Sequence, residues 1–218
     1  MIFAAGFGTR MGALTRDIPK PMIPLAGRPM IDHTVELLRS AGIQRIFANT
    51  HHLADRIEPH LASLDVLALR EEPDILETGG GLKAALPHLG KGPVLTLNPD
   101  AAWAGPNPVR TLLNAWRPSM RVLLLLVPLT AAVTSRREGD FSLKKGKISR
   151  RGDYLYTGAQ ILRTNELVRI QDRAFSLNRY WDLLLENGPI HGVVYSGCWC
   201  DVGNPVGLLA AERMLAGV

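Results

Sequence analysis

The chain opens on an apolar run, Met1-Ile2-Phe3-Ala4-Ala5, that passes directly into Gly6-Phe7-Gly8-Thr9-Arg10. A strand that breaks on two glycines gives the fold a fixed starting point, because the turn must take backbone conformations that other residues avoid. Gly6 and Gly8 admit φ > 0 and let consecutive N–H groups approach an anion with no Cβ in the way. Thr9 adds a hydroxyl and Arg10 a planar fork suited to a phosphate. Lys20 adds a point charge on a loop stiffened by Pro19 and Pro21. Two glycines after a strand also occur in plain structural turns, so the rest of the chain has to decide.

Two common phosphate-binding loops are excluded. No Lys-Ser or Lys-Thr pair follows at Walker A spacing, and Met11 stands where the dinucleotide fingerprint opens a helix on Gly or Ala. Pro19, Pro21 and Pro24 bar a regular helix over 12–24 and imply a long ordered loop. Beyond it, apolar segments predict strands over 1–5, 45–49, 66–70, 94–98 and 121–128. Pro29 starts a helix whose stripe is Ile31, Val35 and Leu38 and which Gly42 ends. Further helices are predicted over 53–61, 80–86, 108–116, 164–171, 177–187 and 205–216, with a strand near Val193 and an irregular β insertion over 141–162. This alternation predicts an α/β fold: a Rossmann-like, mostly parallel mixed sheet sandwiched by helices. The first strand begins at the initiator Met without lead-in residues, so a true start slightly upstream is expected.

With 218 residues, 46% of them hydrophobic, the chain fills one large core rather than two, and 1–218 is read as a single domain. A formal net charge of +5 suits nucleic acid, an anionic membrane or a small anionic substrate. The densest basic stretch, 136–151, carries one aromatic and glycine punctuation, which favours a solvated hairpin over a nucleic-acid surface. No apolar run approaches the ~20 residues of a membrane span, and the apolar start meets Arg10 before a signal sequence could form. Cys198 and Cys200 flank Trp199 on one strand, are poorly placed for a disulfide or a shared metal, and are expected to be reduced in a cytoplasmic protein. The serines lack the Gly-x-Ser-x-Gly setting of a nucleophile.

Ala-Ala-Gly-Phe-Gly-Thr-Arg-Met, Pro19-Lys20-Pro21-Met22-Ile23-Pro24 and Gly27-Arg28-Pro29-Met30, followed by Glu77-Thr78-Gly79-Gly80-Gly81, Asn98-Pro99-Asp100 and Trp199-Cys200-Asp201-Val202-Gly203, resemble the signature of the sugar-1-phosphate nucleotidyltransferases. The short length and the 77–81 loop look most like the uridylyltransferases that act on N-acetylmuramate 1-phosphate in bacterial cell-wall recycling. The resemblance implies a nucleotide-diphospho-sugar transferase fold. It also implies in-line displacement at the α-phosphorus of a nucleoside triphosphate, UTP by resemblance, with a hexose 1-phosphate as the other possible acceptor.

That chemistry accumulates negative charge on both sides of the phosphorus and calls for Mg²⁺, for which Asp100 and Asp201 are the implied ligands. Without the resemblance, Asp100 reads as a cap and Asp201 as a turn residue. Arg10 and Lys20 are the implied catalytic cations. Ala4, Ala5, Gly6, Gly8, Thr9 and Arg10, with Thr78, Gly79 and Gly80, are the implied nucleotide-binding residues; the glycines of the second group would offer backbone N–H and C=O groups to a pyrimidine. Asn49, His51, Asn98, Thr157, Gly158 and Trp199 are the implied sugar-side residues, joined by Asn178. His51 and His52 are adjacent and would face opposite ways, so a metal pair is not expected.

Two positions depart from the family. Pro99 replaces the usual glycine before the metal-binding aspartate, which opens the alternative of a catalytically weakened nucleotide sensor with Asp100 turned away from the site. Gly12-Ala13 replaces a common Arg-Pro and predicts a more mobile loop. No nucleic-acid or membrane partner is expected, and a monomer or small homo-oligomer is.

Overall fold

The computed structural model describes residues 1–133 and 138–217. In chain order the elements are β1 (Ile2–Phe3), β2 (Pro24–Leu25), β3 (Arg28–Pro29), α1 (Met30–Ser40), β4 (Ile46–Thr50), α2 (Ala54–Ser63), β5 (Val66–Arg70), α3 (Glu77–Leu89), β6 (Val94–Leu97) and β7 (Ala101–Ala104). They continue as α4 (Pro108–Ala115), β8 (Val122–Pro128), β9 (Gly139–Lys144), β10 (Lys147–Gly152), β11 (Tyr154–Leu162), α5 (Leu177–Glu186), β12 (His191–Val194), β13 (Cys198–Asp201) and α6 (Pro205–Ala216).

Nine strands form one mixed sheet in the order β5-β4-β1-β6-β11-β8-β12-β10-β9. The first four run parallel, while β11 lies antiparallel to both β6 and β8. β8 reads as a continuous apolar run because both faces of the sheet are covered. Its side chains alternate: Leu123, Leu125 and Val127 enter a core with Ile31, Val35 and Ile57, and Leu124 and Leu126 enter a second core with Leu82, Phe141 and Leu184. The α1 stripe of Ile31, Val35 and Leu38 is buried as its spacing predicts. α4 starts where Asn107 Oδ1 accepts from the N–H groups of Val109 and Arg110, and α6 where Asn204 accepts from Gly207 N–H.

Several expectations are corrected. The helix over 164–171 is only a 3-10 turn at Leu167–Arg169; the ordered loop expected over 12–24 holds no α-helix, and 3-10 turns at Thr9–Thr15 and Lys20–Met22 run into and through it. The 141–162 segment is regular: β9 and β10 form a hairpin closed by Lys145 and Gly146, both at positive φ (51° and 74°), and β11 lies inside the main sheet rather than in an insertion. The hairpin is seated by the pairs Lys147↔His191 to β12 and Tyr154↔Phe141 between β11 and β9. Arg136 and Arg137 of the basic stretch lie outside the described residues. No helix among the described residues is long and apolar enough to cross a membrane.

Candidate functional site

β1 delivers its Gly-rich turn to one end of the sheet. Gly8 sits at φ 65°, and a Cβ there would lie 2.9 Å from Lys20 Cβ and from Thr15 Cγ2, so glycine is what lets the Lys20 loop close on the turn. The Thr15 hydroxyl is placed to bond Gly8 O (3.1 Å) and Gly12 O (3.2 Å), and Met11 N–H donates to Gly8 O. Gly12 takes φ 60°, ψ −126°, a conformation a β-carbon would oppose. Glycine at position 12 therefore suits the backbone of this loop, which the Thr15 and Met11 bonds tie to Gly8.

Lys20 is 9% exposed and donates to Asp100 Oδ2 at 2.5 Å. Asp100 stands between β6 and β7; its carbonyl accepts from Val202 N–H at 2.8 Å, and Ala101 pairs with Asp201 in the β7–β13 ladder. The hairpin-like β7–β13 pairing thus brings Asp100 and Asp201, about a hundred positions apart in sequence, to neighbouring backbone. The Arg10 guanidinium packs on Gly203, where a Cβ would be 2.9 Å from Nη1. Together Gly6, Gly8, Thr9, Arg10, Lys20 and Asp100 line a cavity of about 210 Å³, with Pro99 and Gly203 on its wall. Asp100 faces this cavity, so the observation that would have favoured a disabled sensor is not made. Asp201, in contrast to Asp100, is not among the residues that line this cavity, although its backbone runs beside that of Ala101; a carboxylate such as that of Asp100 is the kind of oxygen donor that suits a hard cation such as Mg²⁺.

The expected base loop is built differently. Thr78, Gly79 and Gly80 belong to the first turn of α3, and the N–H groups of Gly79 and Gly80 both donate to Phe175 O, at 2.8 and 3.0 Å. They are therefore not offered to a base. A Cβ on Gly79 would sit 2.4 Å from the Phe175 ring and one on Gly80 2.2 Å from Arg173 O, so close packing demands these glycines. Thr78 Oγ1 accepts from Leu177 N–H at 3.0 Å and joins α3 to α5. Ala4 and Ala5 are buried, and Ala4 N–H donates to Asn49 Oδ1 at 2.9 Å.

Asn49 is thus tied into the scaffold: its Nδ2 donates to Glu71 Oε1 at 2.7 Å, and Glu71 Oε2 accepts from Leu76 N–H at 2.7 Å. Trp199 is likewise in the core at 3% exposure, with Nε1 donating to Thr157 O, while the Thr157 hydroxyl donates to Leu125 O. Gly158, at φ 86° in the irregular step of β11, closes against Asn98, whose N–H donates to its carbonyl. His51 bonds Glu71 O through Nδ1 and meets the Phe7 ring edge-on at 5.6 Å, at the mouth of the turn.

Of the expected sugar-side residues, Asn98 and Asn178 do line a second cavity, of about 320 Å³, with Thr78 beside them. Phe3 is shared by both cavities, which makes them neighbours across β1. The remaining polar wall, Asp140, Arg150, Tyr156 and Ser176, and the rings of Phe141 and Trp181 were not foreseen. Asp140 Oδ2 accepts from Tyr156 N–H at 2.9 Å, and burial raises the Tyr156 phenol above its ordinary range, so it stays a protonated donor. The signal for Arg150 was present: Ile148 and Arg150 are two apart on β10, so a buried Ile148 turns Arg150 inward.

Comparison with known proteins follows the same lines. Residues 1–166 match the family described as MobA-like NTP transferase domain. The N-acetylmuramate α-1-phosphate uridylyltransferase of Caulobacter vibrioides is 36% identical over 233 residues, covering 99% of this chain and 96% of that protein. Among solved structures, HddC of Yersinia pseudotuberculosis complexed with GMP-PN superposes with a TM-score of 0.79 at 22% identity, covering 98% of this chain and 97% of the other. The inositol-1-phosphate CTP transferase of T. maritima superposes with a TM-score of 0.81 at 13% identity, covering 100% and 96%.

Proposed function

The chain belongs to the family of MobA-like NTP transferase domains, and on that premise we propose that this sugar-1-phosphate nucleotidyltransferase joins UTP to N-acetylmuramate 1-phosphate, releasing pyrophosphate. The choice of substrates is supported by the near-full-length similarity to the Caulobacter vibrioides enzyme. The observation that carries the site is the 2.5 Å pair of Lys20 and Asp100 beside the Gly6–Arg10 turn, in a cavity of about 210 Å³.

In this reading a phosphate oxygen of the sugar attacks the α-phosphorus while the bond to the β-phosphate oxygen breaks, and pyrophosphate leaves with the electron pair. Gly6, Gly8 and Thr9 hold the triphosphate, and Arg10, braced on Gly203, forks onto its oxygens. Asp100 fixes Lys20 before substrate arrives, so the ammonium meets the developing charge without reorganisation. Asp100 and Asp201 would hold Mg²⁺, which supplies neutralisation of phosphate charge. The sugar occupies the neighbouring cavity of Asn98, Asp140 and Asn178. The whole of 1–218 acts as one domain in this reading, and the sugar itself argues for a cytoplasmic role in cell-wall recycling.

Mass spectrometry of a reaction containing UTP, Mg²⁺ and a panel of sugar 1-phosphates tests the proposal. UDP-N-acetylmuramate as the main product supports it. A preference for glucose 1-phosphate, or for another triphosphate, contradicts the assigned substrates.

A further inference from the structure

Among the side chains lining the 320 Å³ cavity, Asp140 and Arg150 carry charge. The two are held differently. Asp140 takes Tyr156 N–H, whereas Arg150 lies with its guanidinium carbon 5.0 Å from the Phe141 ring centre and 5.4 Å from that of Trp181. Its Nε donates to Asp182 Oδ1 at 2.7 Å, Nη1 to Asn178 Oδ1 at 2.9 Å and Nη2 to Asn178 O at 2.9 Å. Lys144, Lys145, Lys147 and Arg151 on the same hairpin are exposed, so Arg150 is the one of these five that is turned into the molecule.

A long cation fixed by two rings and three partners has lost its rotamer freedom before any ligand binds, which is the arrangement of a recognition group on a rigid element. Asp182 holds the Nε/Nη2 edge and is itself half-exposed and outside the cavity wall. Nη1 has two N–H groups and makes one of these bonds, which leaves a charge-assisted donor beside Asn178. The hydroxyls and amide of a neutral hexosamine would be served by Asn98, Asn178 and Asp140 alone.

Resting on the function proposed above, the geometry points to Arg150 as the residue that selects a sugar 1-phosphate bearing a second acidic group, as the lactyl carboxylate of N-acetylmuramate does. Arg150 reads the carboxylate through Nη1, while its stacking and its bonds to Asp182 set the direction of that donor. The role is one of substrate choice and takes no part in the displacement at phosphorus.

The test is kcat/KM with UTP for N-acetylmuramate 1-phosphate and for the same compound with its lactyl carboxylate converted to the amide. Wild-type protein is expected to prefer the acid by roughly tenfold to a hundredfold, the range of one charge-assisted bond. In Arg150→Gln that ratio should fall to within about twofold of unity, carried mainly by KM of the acid, and Arg150→Lys should keep part of it. If Arg150→Gln does not fold, Arg150→Lys decides: a ratio reduced below the wild-type value supports the inference, and an unchanged ratio overturns it. A merely structural Arg150 lowers both substrates alike and leaves the ratio unchanged, which overturns the inference and spares the proposed function. Failure of wild-type protein to use either compound overturns both.

Discussion

Glu71 is a carboxylate at 4% exposure whose two oxygens are taken by Asn49 Nδ2 and Leu76 N–H, while Asn49 Oδ1 takes Ala4 N–H. These bonds tie the end of β1 to the segment before α3, and Gly81 packs on both side chains, 2.5 Å from Glu71 Oε1 where its Cβ would be. Asn49→Ala strands a backbone donor and a carboxylate oxygen in the interior, and is expected to lower stability by about 2–4 kcal/mol in urea denaturation. A loss under about 0.5 kcal/mol would show the network to be slack. From sequence, Asn49 at a strand end looked like a ligand. Nothing in the spacing reveals that its partner lies 22 positions on at Glu71, because the contact is made by two parallel strands coming into register. By contrast Lys20 and Asp100 were legible, since both belong to segments with a recognisable pattern.

At the scale of elements, α3 shows a glycine run whose packing role the sequence does not display. The run stands out in the sequence, but its cause is the chain from 173 to 175 lying against the first turn of the helix, at a distance where no Cβ fits. Gly79→Ala, which places a methyl 2.4 Å from the Phe175 ring, is expected to cost about 1–3 kcal/mol. It should also raise KM for the sugar phosphate, because Thr78 and Leu177 move with that contact. Calorimetry and steady-state kinetics on the same variant check both halves, and unchanged melting would refute the packing argument. The α1 stripe and the buried β8 run were readable because each records one periodicity over its full length. The β7–β13 pairing was not, since four-residue strands almost a hundred positions apart carry too little pattern to announce each other.

Across the whole molecule, the mixed sheet places the two cavities side by side, and its buried groups set how the protein responds to alkali. Burial pushes the Cys200 thiol up to about 11 and the Tyr180 and Tyr195 hydroxyls up to about 12. For each, the unfolded chain releases its proton at lower pH than the folded one. The stability is therefore full below pH ~9 and falls as pH rises towards 12, which denaturant midpoints at pH 8, 10 and 11 would follow. Exposed Cys198 should react with a thiol reagent at pH 8 while buried Cys200 stays unlabelled until denaturant is added, as intact mass would record. The α/β architecture was legible in the alternation of elements, whereas the placement of β11 at the middle of the sheet depended on long-range pairing. The central claim is that Arg10, Lys20 and Asp100 form a working nucleotidyl-transfer site, and it is tested most directly by Mg²⁺-dependent pyrophosphate release from UTP and N-acetylmuramate 1-phosphate in wild type, Lys20→Ala and Asp100→Ala. The account predicts release in wild type and a fall of at least about a hundredfold in each variant with melting temperature nearly kept; near-normal release from either variant would contradict it.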